Sequence, residues 1–145
     1  MARQFSLGKN ERLKSRKLIE QLFKGEKNFY SFPFRVYYLF HRQTIKPDND
    51  QNRQLPVILQ FGVGAGTRNF KRAVDRNKIK RQAREAWRLQ KNVLSELLKK
   101  KNNHLSVFFI YTPKELQDYK TIYTKTGLIL SKLAKLVHET DSSNT

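Results

Sequence analysis

A chain of 145 residues suits one ordinary core rather than two domains, and its 38% hydrophobic and 12% aromatic content is enough to build that core. Thirty Lys and Arg against 12 Asp and Glu give a formal net charge of +18, which calls for a polyanionic partner, nucleic acid first and an anionic membrane surface second. Lack of cysteine excludes disulfides, thiolate chemistry and Cys-based zinc sites, and with no run of 18 apolar residues and no signal-peptide core the expectation is a cytoplasmic protein without a membrane span.

Residues 1–10 make a polar, basic arm with Phe5 and Leu7 as its large apolar residues, ordered only where something ties it down. From Glu11, the spacing of Leu13, Leu18, Ile19, Leu22 and Phe23 predicts an amphipathic helix that stops at Gly25. Residues 32–40, FPFRVYYLF, predict a strand starting after Pro33, with Phe34, Val36 and Tyr38 on one face and Arg35, Tyr37 and Leu39 on the other. The polar stretch 43–54, with Pro47 and several Asp and Asn, predicts a long loop. Residues 55–63, LPVILQFGV, read as a buried strand leading into a turn marked by Gly62, Gly64 and Gly66. These glycines match neither G-x-G-x-x-G nor the phosphate loop that ends in G-K-[ST], so a bend or a close backbone approach accounts for them.

The next stretch, RNFKRAVDRNKIKRQAREAWRLQK at 68–91, organises the chain. Residues 66–91 carry ten Arg or Lys and two acids, a net charge of +8. At helical spacing Ile79, Ala83, Ala86, Trp87, Leu94, Leu97 and Leu98 share one arc, which predicts a helix with a buried side. On a neighbouring arc lie Arg76, Asn77, Lys80, Arg81, Arg84, Arg88 and Lys91, with Asp75 and Glu85 away from its centre. Solvated helix faces usually mix signs at i,i+4; here Arg76, Lys80, Arg84 and Arg88 repeat one sign at that spacing, which disfavours the helix unless a polyanion compensates.

Lys99 to Asn103 reads as a basic linker, and LSVFFIY at 105–111 as a second buried strand, parallel to the earlier one across a helical crossover. Pro113 opens a last helix whose apolar residues run from Leu116 to Val137, with Gly127 in its middle. The tail from Glu139 has no apolar anchor. The reading is a single RNA-binding domain over 1–138 with a disordered tail at 139–145. Helix, strand, strand, helix, strand, helix makes an α+β sandwich.

KRAVDRNKIKRQAREAWR at 71–88 resembles the signature helix of the bacterial ribonuclease P protein component, roughly K-A-V-x-R-N-R-I-K-R-x-x-R-E-x-x-R. Lys71 or Arg72, Ala73, Val74, Arg76, Asn77, Ile79, Lys80, Arg81, Arg84, Glu85 and Arg88 occupy matching positions, with Lys78 where the family has a second Arg. RLKSRKLIEQLFKG at 12–25 resembles the family's opening helix, with Phe23 at its second aromatic position and Ile19 at the first. Gly64 to Arg68 stands where the family tends to have Ser-Lys-Lys. The resemblance implies an αβββαβα sandwich of the ribosomal protein S5 domain 2-like fold with a left-handed crossover, a hand that general chirality rules disfavour. It also implies the accessory subunit of a ribonucleoprotein whose catalytic RNA removes the 5′ leader of precursor tRNA, with Mg2+ held mainly by that RNA. The implied RNA contacts are Arg68, Lys71, Arg72, Arg76, Asn77, Lys78, Lys80, Arg81, Arg84 and Arg88, and the implied leader cleft contains Phe23 and Tyr37.

Protein-borne catalysis has no support in the residues. His41, His104 and His138 lack ligand spacing, no H-E-x-x-H is present, and the acids are not paired as a two-metal nuclease requires. The serines have no neighbouring base pattern. Neither a catalytic nor a metal-binding residue is therefore expected, and no obligate protein partner is evident. The competing class is a noncatalytic ribosomal or RNA-assembly protein; membrane binding would need bulky apolar residues opposite the basic face, and the core claims those.

Overall fold

The computed structural model describes residues 11–13, 15–25, 27–42, 58–101 and 103–142. The basic arm at 1–10 and the loop at 43–54 lie outside the described residues. Eight elements follow in order: α1 (Arg16–Lys24), β1 (Asn28–Ser31), β2 (Phe34–Arg42), β3 (Leu59–Ala65), α2 (Ala73–Gln90), α3 (Asn92–Lys101), β4 (Asn103–Tyr111) and α4 (Tyr119–Ser142). The strands form one sheet ordered β1-β2-β4-β3. β2 is antiparallel to β1 and β4, while β3 and β4 are parallel, as a helical crossover requires.

Strand alternation sorts the sheet into two faces. One carries Phe34, Val36, Phe61, Leu105, Val107 and Phe109, all buried, and with the inner sides of α2, α3 and α4 these form the core. Trp87 of α2 stacks on Phe61 of β3 with centroids 4.3 Å apart and planes 11° from parallel, and Phe109 meets both edge-on. Tyr38 packs at the margin of this core, so the expected division of β2 holds. The other face carries Tyr37 and Phe108, against which Phe23 of α1 packs.

Several boundaries differ from those read in the sequence. α1 starts at Arg16, because Ser15 accepts the Leu18 amide as N-cap and Leu13 instead donates its amide to Phe61 O along the edge of β3. β1 is a third early strand that residue patterning did not mark. The long helix is two: α2 ends at Gln90 and its C-cap Lys91 keeps a right-handed helical conformation, so the apolar spacing runs on into Leu94, Leu97 and Leu98 of α3. Lys99 to Lys101 belong to α3, not to a linker, and His104 is buried within β4. Pro113 lies outside α4, which begins at Tyr119 because Asp118 caps it, its carboxylate accepting the Thr121 amide at 2.9 Å. The Thr121 side chain, and then its amide, hold the Asp118 carboxyl below its ordinary pKa. Tyr111 secures the intervening loop by donating to Glu115 O and accepting from the Gln117 amide. α4 then runs past Glu139 to Ser142; extending a formed helix adds a hydrogen bond per residue and needs no apolar anchor.

Of the glycines in β3, Gly62 has a packing reason and Gly64 does not. A Cβ on Gly62 would meet the Phe108 ring at 2.7 Å and Leu13 O at 3.2 Å, whereas one on Gly64 would sit 3.4 Å from the same ring. Gly62→Ala is therefore expected to lower stability by about 1–3 kcal/mol through overpacking, despite the gain in strand propensity. Gly64→Ala should be near neutral. Denaturant midpoints of both variants decide this; equal midpoints would mean the ring moves aside freely.

Candidate nucleic-acid interface

The basic face of α2 follows from where its apolar residues must go. With Ile79, Ala83, Ala86 and Trp87 buried, the opposite side carries Asn77, Arg81, Arg84 and Arg88 in a line at steps of four, three and four residues. Lys78 is exposed beside this line, and Lys80 and Arg76 are half-buried at its margin. Arg68, Lys71 and Arg72 are exposed just before the helix, the last being its N-cap without a side-chain cap bond. The structure therefore brings the sequence-predicted cations onto one outer surface, with three qualifications.

Arg76 donates from Nη1 to Phe70 O at 2.7 Å and Lys71 O at 2.9 Å, so it braces the loop entering the helix. Arg88 pairs with Glu85, Nη2 to Oε1 at 2.5 Å and Nε to Oε2 at 3.1 Å. That pairing holds the Glu85 carboxyl below its ordinary pKa and raises that of Arg88, so Glu85 offsets part of the stripe it was expected to avoid. Lys91, read as part of the stripe, is buried and pairs with Glu11, because the end of α2 turns toward the N-terminal segment.

Arg12 is a basic residue that sequence reasoning missed. It forms a bridge beside Phe61 of β3 and is exposed. Partial burial, and then the neighbouring Arg12 guanidinium, lower the pKa of Arg84, so Arg12 adds its charge close to the outer face of α2. No sequence signal marked it, since the contact joins residues far apart in the chain.

The second surface is aromatic. Phe23 meets Tyr37 at 4.9 Å and 66°, and Phe108 at 5.5 Å and 84°. Phe23 stays 43% exposed, which a packing role alone does not require. Both sequence-predicted cleft residues thus meet, and Phe108 joins them. Alternation in β4 carried a signal for it: with Val107 and Phe109 in the core, Phe108 must face the other way.

Among the described residues no group of three or more His, Asp or Glu is placed to hold a metal ion, and no helix is long and apolar enough to cross a membrane.

The ribonuclease P family model matches residues 7–134. The ribonuclease P protein component of Porphyromonas gingivalis is 32% identical over 118 residues, covering 81% of this chain and 79% of its own, in each of two strains. That of Chlorobaculum tepidum is 49% identical over 49 residues, covering 34% of this chain and 30% of its own. In fold, the chain is similar to the Staphylococcus aureus RNase P protein, with a TM-score of 0.56 at 20% identity over 86% of this chain and 95% of that one. A family match spanning most of the chain, its basic helix included, places the chain in the ribonuclease P protein family.

Proposed function

We propose that this protein serves ribonuclease P as a binding subunit: the outer face of α2 holds the catalytic RNA, and the aromatic surface holds the single-stranded 5′ leader of precursor tRNA. The observation that carries this is the separation of two surfaces in a chain of this family. Cations line one side of a helix whose other side is locked into the core, and three rings gather on the far face of the sheet. Arginines and lysines neutralise phosphates, while rings stack on any base.

On this reading the RNA performs the hydrolysis and holds the Mg2+ on its phosphates. The protein's contribution is electrostatic and positional. Phosphates of the RNA and of the substrate repel each other, and the protein's positive charge reduces the divalent concentration needed to hold them together. A leader is unpaired, so its bases are available to Phe23, Tyr37 and Phe108, whereas mature tRNA has no leader to offer.

Reconstitution tests the division of labour. Protein free of RNA is expected not to cleave precursor tRNA, and on addition to its cognate RNA to raise cleavage most at low magnesium. Robust magnesium-dependent cleavage by RNA-free protein would overturn the reading.

Arg81→Ala with Arg84→Ala should weaken binding to the catalytic RNA and flatten the slope of log affinity against log salt by about 0.7–0.9 for each phosphate left without its cation. Unfolding midpoints should stay within about 0.5 kcal/mol of wild type, since neither side chain is in the core. Arg76→Ala should in addition loosen the loop at residues 70–71 and so lower stability. Affinity titrations over a salt series, with unfolding curves on the same proteins, check both points.

Tyr37→Ala in the assembled enzyme should weaken precursor tRNA binding by roughly 1–3 kcal/mol, the range of one base stacked on an aromatic side chain. Binding of mature tRNA should change little. Equal losses for the two ligands would leave Tyr37 as packing alone.

A further inference from the structure

The aromatic surface does not end at Tyr37. β1 pairs with β2 so that Asn28 lies opposite Tyr37 and Tyr30 opposite Arg35. Strand alternation then puts Asn28, Tyr30, Arg35 and Tyr37 on the same face of the sheet. Tyr30 is 51% exposed, and the Arg35 guanidinium lies over its ring at 5.8 Å from the centroid. Arg35 Nη1 also donates to Asn28 Oδ1 at 2.8 Å. A neutral acceptor orients the guanidinium without cancelling its charge.

We infer that Tyr30 and Arg35 form a second leader contact beyond Phe23, Tyr37 and Phe108, Tyr30 stacking on a base and Arg35 holding the adjoining phosphate. The inference rests on the leader-binding reading of the aromatic surface and extends it toward the β1 edge. Three observations carry it. Tyr30 is about half exposed while its hydroxyl accepts from Thr112 Oγ1 at 3.4 Å, so the ring is positioned and still reachable from outside. Its arginine neighbour is held by two contacts, to a ring and to a neutral amide, which is the pairing of ring and cation that a nucleic-acid strand uses best. Residues 35 and 37 are about 7 Å apart along β2, comparable to one step of an extended single strand.

Topology gives the contact a direction. β1 and β3 are the two edges of the sheet, and α2 packs on β3. A leader that passes from Tyr37 to Tyr30 therefore moves away from the edge bearing Arg12 and α2. Only nucleotides beyond those held at Tyr37 reach Tyr30, so its effect depends on leader length.

The test uses assembled enzyme and precursor tRNAs whose leaders lengthen one nucleotide at a time, with affinity measured at fixed salt. Wild type should gain affinity in steps as the leader grows. Tyr30→Ser and Arg35→Gln should each abolish a late step, a loss of roughly fivefold or more that corresponds to the low end of base stacking, and should match wild type on the shortest leaders. Tyr30→Phe, which keeps the ring, should retain the step, whereas Tyr37→Ala should lose affinity at short and long leaders alike. If Tyr30→Ser and Arg35→Gln follow wild type at every length while Tyr37→Ala does not, the second contact is wrong and the first reading stands. Equal loss at all lengths would assign Tyr30 to packing and also overturn the inference. If Tyr37→Ala and Tyr30→Ser are both indifferent to the leader, the two readings fall together.

Discussion

The stack of Trp87 on Phe61 is the contact on which the rest of the molecule depends. It fixes the rotation of α2 about its own axis against β3, and Phe109 closes the arrangement edge-on from the neighbouring strand. Once that rotation is set, Asn77, Arg81, Arg84 and Arg88 have no choice but to face outward. A helix this cationic would resist forming alone, since like charges at i,i+4 oppose it. Burial of a Trp, an Ile and two Ala on its other side supplies the opposing free energy, of the order of several kcal/mol for the two large side chains.

Placement of α2 as a helix and the buried character of β3 and β4 could be read from the chain, because each rests on local periodicity. Phe34, Val36 and Tyr38 alternate with Arg35, Tyr37 and Leu39, and the sheet uses that division. What could not be read depends on contacts between distant residues or on caps that leave periodicity intact. Lys91 looks like one more cation on a stripe until Glu11, 80 positions away, is seen beside it. The break between α2 and α3 leaves the apolar spacing unbroken because Lys91 keeps helical dihedrals. Asp118 outranked Pro113 as a helix start through a single cap bond. β1 has four residues, too few for alternation to be distinctive, and only its ladder with β2 reveals it.

The candidate site was legible to a similar degree and for similar reasons. The family motif and the charge pattern pick out the same side of α2, and the geometry adds that its members are not equivalent. Arg76 is spent on the carbonyls of residues 70 and 71, Arg88 shares its charge with Glu85, and Arg81 and Arg84 lie along the outward line. A count of positive residues treats these four alike. Phe108 shows the converse: it was hidden inside a strand read as wholly buried, although the parity of Val107 and Phe109 assigns it to the opposite face.

The short segment at residues 11–13 does more than carry Arg12 and Glu11. By donating the Leu13 amide to Phe61 O and bridging at Arg12, it lies along an edge of the sheet whose backbone groups could otherwise pair with another chain. At the far edge, β1 is only four residues long and offers little ladder to a stranger. The β3 rim is thus covered where Phe61 lies and the β1 rim is kept short, which leaves less free backbone for strand-to-strand aggregation in the interval between synthesis and capture by RNA.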